Sequence, residues 1–430
     1  MSKPKQEKQW ADKPWFRLDN AALIFPGQNS EQWSNVIRIS VDLTVPIEPQ
    51  RLKQALCDIL PRFPTMAVQL KKGFFWYYFE KNENEPVVRP DSNNQGVRIQ
   101  YHENNRFLFR VFYYRNRIAL EAFHALTDGY GCAVFLSTLA AQYLRLCGHE
   151  ISCGGMVLDL SEKPKPEELE DAFIRNATPG ATLPRGTHKV YHKTGVSLPT
   201  HTFHIITGNM PVDRVKQRAA ARGATVTEYF TAVLLKIYLD FQKQEAGRQR
   251  EVVIQVPVNG RKAFGAKTLR NMSVCYTVGA DPNLGTYTFE ELVRQTSLWL
   301  RYVNNKKTLG AMFNSNVQLQ TSPLLRRIPL FIKDFGIRLS FHFTAEKTNT
   351  ALFTNLGVID LPADMRPFVE SYIFMPSVGK LNGGRMGAVS FGSTLSVTVA
   401  NRYRETDVER AFFRFLIQDG VPVKIISNFT

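Results

Sequence analysis

The sequence predicts an α/β protein made of two lobes of similar size, each a mixed sheet with flanking helices. With 430 residues the chain is longer than one hydrophobic core usually serves. Strand-like and helix-like patterns are mixed in both halves. Between the halves, residues 161–200 are rich in proline, glycine and charge, a composition typical of a linker. We therefore expect an N-terminal lobe over residues 1–160 and a C-terminal lobe over residues 201–430.

The elements of the first lobe follow from hydrophobic periodicity. Residues 36–45 alternate apolar and polar side chains, which predicts a half-buried strand. Pro49 opens a pattern of period 3.6, which predicts a helix. Residues 73–80 form an aromatic run typical of a strand. Two further strand patterns, 106–113 and 117–123, are separated by three polar or turn residues and predict a hairpin.

The second hairpin strand leads into the most informative segment, His124-Ala125-Leu126-Thr127-Asp128-Gly129, which precedes a helix predicted over residues 132–146. The strand alternation places His124 in the row of an apolar sheet face, so we expect its imidazole to be partly desolvated. A neutral imidazole suits proton abstraction near neutral pH. Gly129 at the turn permits either a positive φ or a close backbone approach. The segment therefore predicts a general base at a strand end, with His124, Asp128 and Gly129 as its candidate catalytic residues.

The second lobe shows the same mixture of strand and helix patterns as the first. A strand is predicted over 201–210, a helix over 211–222, and a continuous apolar strand over 252–258, as expected when both sheet faces are covered. Three Thr-x-x-Glu pairs indicate capping boxes that open helices, at Thr225 with Glu228, Thr288 with Glu291, and Thr406 with Glu409. Residues 396–403 predict another strand, and residues 379–387 a glycine-rich turn.

The run Val256-Pro257-Val258-Asn259-Gly260-Arg261 places an arginine just beyond a buried strand of the second lobe. A buried carboxylate needs a cation, because unpaired burial of a charge is costly. We expect Asp128 to pair with Arg261 and so to join the two lobes across their cleft. The alternative is that Asp128 forms a catalytic dyad with His124, although four residues along a turning segment its carboxylate need not reach the ring.

Charge and cysteine content restrict the class of protein. The formal charge of +16 invites an acidic partner, but the basic residues are spread along the chain and no nucleic-acid-binding motif is present, so no nucleic acid is expected. A phosphorylated cofactor, an acidic carrier protein or an anionic membrane surface explains the sign equally well. The five cysteines are scattered, which predicts reduced thiols and no metal site. No stretch approaches about 18 apolar residues, so we expect a cytoplasmic protein without a transmembrane segment.

These residues carry a resemblance. His-x-x-x-Asp-Gly after an aromatic hairpin resembles the HHxxxDG motif of the CoA-dependent acyltransferase superfamily, which includes chloramphenicol acetyltransferase, plant BAHD acyltransferases and condensation domains; Phe123 replaces the first histidine. Residues 256–261, followed by Leu269-Arg270-Asn271, resemble its second-lobe stretch, and residues 354–357 resemble its Ser-Asn-Leu-Gly element. Residues 17–22 and 60–64 are similar to bacterial alcohol acetyltransferase-like proteins. The resemblance spans roughly residues 15–425.

The resemblance implies two chloramphenicol acetyltransferase-like lobes with an active-site tunnel at their interface. It implies direct transfer of an acyl group, expected to be acetyl, from a CoA thioester to the hydroxyl of a small-molecule acceptor, with His124 as the base. Acetyl-CoA or another acyl-CoA would be a cosubstrate, not a permanently bound cofactor. Its phosphates would contact the basic residues Lys262, Lys267 and Arg270. Asn355 and Ser396 are the candidate oxyanion donors.

Two other functions remain open. A condensation-type enzyme would act on acyl groups bound to an acidic carrier protein, which would dock in trans because the chain has no carrier motif of its own. A binding or regulatory protein without catalytic activity could use the same scaffold, although intact His124, Asp128 and Gly129 argue against this.

Overall fold

The computed structural model describes residues 14–31, 33–183, 189–340, 347–379 and 384–428. Residues 380–383 of the predicted glycine-rich turn and residues 184–188 of the predicted linker lie outside the described residues.

Within the described ranges the strands are β1 Trp15–Arg17, β2 Val36–Leu43, β3 Val68–Lys72, β4 Tyr77–Lys81, β5 Val88–Pro90, β6 Phe109–Tyr114, β7 Arg117–Phe123, β8 His204–Pro211, β9 Val252–Asn259, β10 Ser273–Ala280, β11 Ala351–Val358, β12 Val369–Met375, β13 Arg385–Phe391, β14 Thr394–Asn401 and β15 Lys424–Ser427. The α-helices there are α1 Phe25–Gln28, α2 Pro49–Ile59, α3 Gly129–Leu146, α4 Pro166–Leu169, α5 Ala172–Asn176, α6 Val212–Ala220, α7 Val226–Gln244, α8 Arg261–Phe264, α9 Phe289–Val303, α10 Lys306–Thr321, α11 Pro323–Arg327, α12 Leu330–Ser340 and α13 Asp407–Gln418.

The first sheet has the order β12-β2-β7-β6-β5. Its central hairpin, β6 and β7, is the predicted one: Tyr114 pairs with Arg117, and Arg115 in the turn adopts a φ of +52°. The aromatic strand predicted at 73–80 is shorter than expected. It begins only at Tyr77, because the amide of Gly73 donates to the carbonyl of Trp76 and closes a tight turn. A small separate sheet, β1-β4-β3, lies beside this one.

Strand β2 is buried on both faces, whereas the sequence predicts a half-buried strand. Its apolar row packs into the core with α2 and α3, as the alternation predicts. The opposite row, which includes Arg38 and Ser40, is also buried. Elements of the second lobe cover that face, so polar alternation along β2 does not mark a solvent-exposed face here.

Helix α3 begins three residues earlier than the sequence predicts. The side chain of Asp128 accepts a hydrogen bond from the amide of Gly131 and caps the helix, so Gly129 is its first residue. A carboxylate at this position satisfies an otherwise unpaired amide and interacts favourably with the helix dipole. The motif aspartate therefore fixes where the helix starts.

The second sheet has the order β10-β9-β11-β13-β14-β8-β15 and is mixed, with β11 parallel to both β9 and β13. Helices α7, α9 and α13 pack with it around the second core. The capping boxes at Thr225 and Thr288 are present. The box predicted at Thr406 is absent, because this threonine has a ψ of 31° and its side chain caps no amide.

Strand β12 crosses from the second lobe to the first. It follows β11 of the second sheet in sequence, yet it pairs with β2 at the edge of the first sheet. Val369, Tyr372 and Phe374 of β12 belong to the first hydrophobic core. The division into residues 1–160 and 201–430 thus follows the chain and not the sheets. The two mixed sheets with flanking helices confirm the predicted fold class.

Across the described ranges, no helix combines the length and the hydropathy needed to cross a membrane.

Candidate active site

His124 lies one residue beyond β7, where the two lobes meet. Its backbone amide donates to the carbonyl of Asn35 at 2.8 Å, which fixes the chain just before α3 begins. The imidazole is half-buried. It stacks on the ring of Phe25, with centroids 4.6 Å apart and planes inclined by 18°. The strand alternation therefore placed this side chain correctly, on an apolar face and partly desolvated.

Asn271, from the second lobe, sets the tautomer of this ring. Its Nδ2 donates to the backbone oxygen of His124 at 3.0 Å and to the carboxylate of Asp19 at 3.2 Å. Both partners are acceptors, so the amide oxygen must be the atom that faces His124. That oxygen lies 3.1 Å from Nδ1, which must then carry the proton. In the neutral ring, Nε2 consequently holds the lone pair.

The surroundings keep this ring neutral. Burial lowers the pKa of His124 below its ordinary value of 6.5. A hydrogen bond to its own backbone, the charge of Asp128 and the contact with Asn271 act in the opposite direction without outweighing burial. A neutral imidazole with its lone pair on Nε2 can accept a proton from a hydroxyl or thiol.

Asp128 and Arg261 form the ion pair that the sequence predicts between the lobes. Arg261 Nη1 lies 2.8 Å from Asp128 Oδ2, and Nη2 lies 3.0 Å from Oδ1, a bidentate geometry. Both side chains are buried. The guanidinium also donates to the carbonyl of Thr268 and lies 4.7 Å from the ring centroid of Tyr130.

The other contacts of Asp128 also tie it to structure. Its carboxylate accepts from the amides of Gly131 and Met272 and from the hydroxyl of Ser273. Burial alone would raise the pKa of Asp128, but the charge of Arg261 and these hydrogen bonds together hold it below its usual value. The carboxylate is thus ionised and engaged with the helix cap and the second lobe. These contacts favour the bridging role over a dyad with His124.

Gly129 of the motif and Gly131 two residues later permit close approach and are not needed for an unusual backbone conformation. Neither Gly129 nor Gly131 has a positive φ. A Cβ on Gly129 would collide with the side chain of Leu356, and one on Gly131 would overlap the carbonyl oxygen of Leu269. Of the two reasons for glycine considered from the sequence, the structure therefore selects the second.

Among the residues predicted to contact CoA, Arg270 requires correction. Its side chain is fully buried, lies 3.5 Å from the carboxylate of Asp19 and donates to the carbonyl of Arg17 at 2.8 Å. A guanidinium held in this way has no surface to offer a phosphate. Lys262 and Lys267 are exposed, on α8 and just after it, and Lys267 lies 3.7 Å from Glu167.

The two candidate oxyanion donors have different surroundings. Asn355 donates from Nδ2 to the hydroxyl of Thr227 at 3.2 Å and accepts from the amide of Gly357. Its neighbour Leu356 lies against Gly129, so this strand passes the first turn of α3. Ser396 is buried in β14, paired with strands β13 and β8. Ser396 therefore lies within the sheet, whereas Asn355 lies on a strand that borders the start of α3.

Three residues around His124 were not among the site residues predicted from the sequence: Asn271, Asp19 and Phe25. Asn271 and Asp19 stand in runs that carry the family resemblance, which was the available signal. Asp19 is fully buried and accepts from the amide of Ala22 at 2.8 Å. Phe25 follows a short 3₁₀ turn, and no sequence pattern indicated that its ring would cover the histidine. Their proximity to His124 depends on contacts between distant segments.

A cavity of about 310 Å³ lies elsewhere between the two sheets, lined by residues of both. One wall carries a buried charge network: Arg38 donates to Glu121 at 3.0 Å and pairs with Asp91, while Arg110 donates to Glu121 at 2.6 Å. The face of the first sheet opposite its hydrophobic core is therefore polar, and it is enclosed by the second lobe.

No protein-family model and no curated protein matches this chain by sequence. Solved structures match it over nearly its whole length. A trichothecene 15-O-acetyltransferase from Fusarium sporotrichioides superposes with a TM-score of 0.60 at 11% identity, covering 94% of each chain. Polyketide synthase associated protein 5 from Mycobacterium tuberculosis gives 0.59 at 13% identity, covering 93% of this chain and 96% of that one.

The first condensation domain of the calcium-dependent antibiotic synthetase gives a TM-score of 0.57 at 15% identity, covering 95% of this chain and 99% of that one. At these identities the likeness concerns the fold. The chain therefore has the two-lobed fold of these solved structures, which include an acetyltransferase and condensation domains, and this is the fold that the sequence resemblance implies.

Proposed function

We propose that this chain is an acyltransferase in which His124 deprotonates an acceptor hydroxyl as that hydroxyl attacks an acyl thioester. The observation that carries the proposal is the arrangement at His124: a half-buried, neutral imidazole whose Nδ1 is held by Asn271 across the lobe junction, so that Nε2 holds the lone pair. The fold likeness to an O-acetyltransferase and to condensation domains supports this reading.

In the proposed reaction, Nε2 of His124 takes the proton of the acceptor hydroxyl while the oxygen forms a bond to the thioester carbonyl carbon. The C–S bond then breaks, the ester is released, and the imidazolium returns its proton to the departing thiolate. Base catalysis of this kind contributes about 10²–10⁴-fold. Positioning and stabilisation of the oxyanion must supply the remainder. The acyl group passes directly between substrates without an acyl-enzyme.

We propose acetyl-CoA or another acyl-CoA as the donor substrate, entering a tunnel between the lobes. Lys262 and Lys267 are exposed next to the Arg261 bridge and are suited to contact its phosphates. Asn355 is the preferred oxyanion donor, since its strand lies against the start of α3, and Ser396 is the second candidate. Asp128 and Arg261 position the motif and do not touch the reacting atoms.

A condensation-type reaction on carrier-bound acyl groups is the alternative function. The charge of +16 suits an acidic carrier protein, and several of the matching structures are condensation domains. The chemistry at His124 would be the same base catalysis. The donor, and with it the surface used for docking, would differ.

The test is chromatographic detection of CoA released from acetyl-CoA and longer acyl-CoAs, with a pooled panel of alcohols and amines. His124→Ala should lower release by about 10²–10⁴-fold, and a thermal melt should show that the variant is still folded. His102→Ala, at an exposed histidine of the same lobe, is the matched control and should retain full activity.

Equal release by wild type and His124→Ala would contradict the role of the histidine. If neither releases CoA, the same pair should be tested with acyl groups carried on an acyl carrier protein. Transfer that appears only there establishes the condensation-type alternative. No transfer with either donor would favour a binding protein on this fold.

A further inference from the structure

Helix α12 exposes apolar side chains and buries its acidic one. Phe331, Phe335 and Leu339 recur every fourth residue and form one stripe along the helix. They are 65%, 68% and 47% exposed. Asp334, the acidic residue of this helix, is 7% exposed and faces the protein. A helix at a water-exposed surface normally places these residue types the other way round.

The reversed orientation is held from the inside. The hydroxyl of Tyr77 donates to Asp334 Oδ2 at 2.7 Å, and Lys72 Nζ lies 3.8 Å from the same oxygen. Rotating α12 to bury its apolar stripe would break these contacts and expose the inward-facing Leu330. The exposed stripe is therefore a fixed feature of the fold.

The loop between β3 and β4 extends this apolar surface. The amide of Leu330 donates to the carbonyl of Phe74, and Lys333 Nζ donates to the carbonyl of Phe75, both at 2.9 Å. The rings of Phe74 and Phe75 are exposed. We call the surface formed by the following exposed side chains the α12 face: Phe74, Phe75, Phe331, Phe335 and Leu339.

Along residues 323–340, which include helices α11 and α12, the exposed charges have one sign. Residues 323–340 contain four basic residues and one acidic residue, and the acidic one is the buried Asp334. Arg326 and Arg327, on the preceding helix α11, are both exposed. Aromatic and aliphatic side chains flanked by cations are the chemistry that binds at the headgroup level of an anionic lipid bilayer.

The α12 face is also connected to the candidate active site. Gly27 of α1 lies directly beneath α12, where a Cβ would come within 3.2 Å of Asp334 and 3.3 Å of Ile337. Arg338 Nε donates to the carbonyl of Gly27 at 3.1 Å. The same short helix α1 begins with Phe25, whose ring covers His124. One short helix thus separates the α12 face from the histidine.

We propose that the α12 face docks this protein on the surface of an anionic lipid bilayer, with the aromatic side chains at the headgroup level and the arginines on the lipid phosphates. Charge complementarity selects this occupant, because the exposed charges of residues 323–340 are all positive. Docking of this kind needs no membrane-spanning segment. It would hold α1, whose Phe25 covers His124, close to the lipid surface.

A second exposed apolar patch, on α9, provides the matched control. Leu298 and Tyr302 are exposed there to a similar degree, but their surroundings include both Glu291 and Arg294. Exposure of apolar side chains is comparable at the two patches, and the sign of the surrounding charge differs. If the α12 face is specific for anionic lipid, only its variants should change binding.

The experiment is cosedimentation of the purified full chain with vesicles of phosphatidylcholine alone and with vesicles that also contain phosphatidylglycerol. We expect binding to the anionic vesicles, weakened by added salt. Phe331→Ser/Phe335→Ser should reduce partitioning by about tenfold or more, whereas Leu298→Ser/Tyr302→Ser should not. His124→Ala should bind as wild type does, so this readout is independent of acyl transfer.

Three results would overturn the proposal. One is no binding to anionic vesicles, and another is an equal loss of binding in both double variants. The third is a wild-type dimer, measured by sedimentation without lipid, that dissociates only in Phe331→Ser/Phe335→Ser. That outcome would assign the α12 face to contact between two copies of this chain.

Discussion

At the scale of single residues, the properties of His124 depend on groups that are distant in sequence. Asn271 comes from the second lobe and directs its amide oxygen at Nδ1 because both hydrogens of Nδ2 face acceptors. Asp19 holds that orientation and is itself paired with Arg270. The buried ion pair of Asp19 and Arg270 therefore acts through Asn271 on the tautomer of His124, the proposed base.

This arrangement predicts a pH dependence. Burial lowers the pKa of His124 below the ordinary histidine value of 6.5, so the base stays neutral to a lower pH. The midpoint of the acid limb of kcat/KM should therefore lie below pH 6.5. Asn271→Ala removes the acceptor that stabilises the protonated ring, so the limb should move to still lower pH. The activity should fall by about 10–100-fold, as is typical when a partner that orients a functional histidine is removed.

The measurement is a pH profile of wild type and Asn271→Ala, made at temperatures where both are folded. A purely structural role for Asn271 would lower the activity at every pH and leave the position of the limb unchanged. That result would contradict the assignment of the tautomer.

At the scale of elements, the start of α3 determines how closely the two lobes approach. Asp128 caps the helix, and the next turn lies against the backbone of the second lobe. The hydroxyl of Thr127 donates to the carbonyl of Leu269 at 2.6 Å, directly beside Gly131. The motif thus combines a helix cap, a close contact and a charged pair within a few residues.

Gly131→Ala tests this contact. In an ordinary helix, replacing glycine by alanine stabilises by about 0.5–1 kcal/mol. Here the new Cβ would overlap the carbonyl of Leu269 and the hydroxyl of Thr127, so we expect destabilisation by about 1–3 kcal/mol and a loss of activity. Gly336→Ala in α12 is the control, because nothing lies within 4 Å of its Cβ position. Urea unfolding of both variants gives the comparison, and equal effects would refute the close contact.

At the scale of the whole molecule, a shared strand and a buried ion pair are two of the features that join the lobes. Strand β12 leaves the second half of the chain and completes the first sheet. The buried pair of Asp128 and Arg261 joins the start of α3 to the region after β9. We therefore expect the lobes to unfold together, as one cooperative unit, since the first sheet is incomplete without β12 from the second half of the chain.

Asp128→Ala should lower the free energy of unfolding by about 3–5 kcal/mol, because it leaves the guanidinium of Arg261 buried without its counterion. Asp128→Ala/Arg261→Met removes the unpaired charge and should recover part of that loss. Urea unfolding followed by far-UV circular dichroism and by tryptophan fluorescence measures both. An unchanged stability of the single variant would count against the bridge. Because the pKa of Asp128 is depressed, the wild-type contribution is present above pH 3.8 and is lost as the pH falls through the lower, folded pKa.

The sequence by itself determined several of the elements and indicated His124 as the candidate base. Alternation along residues 117–123 gave the strand that presents His124, and the apolar spacing after Pro49 gave α2. Capping boxes at Thr225 and Thr288 marked the starts of α7 and α9. Such patterns are read within a few residues, because hydrogen bonding and burial in strands and helices repeat over short distances.

Only the tertiary structure decided which distant residues and strands come into contact. Arg270, expected at the phosphates, is buried against Asp19; β12 joins the other sheet; and the polar row of β2 is enclosed. The tautomer of His124 and the outward apolar stripe of α12 also depend on partners far away in the chain. The physical reason is common to all of these: local periodicity specifies which face of an element is apolar, whereas the cost of burying a charge depends on a partner that only folding brings into contact.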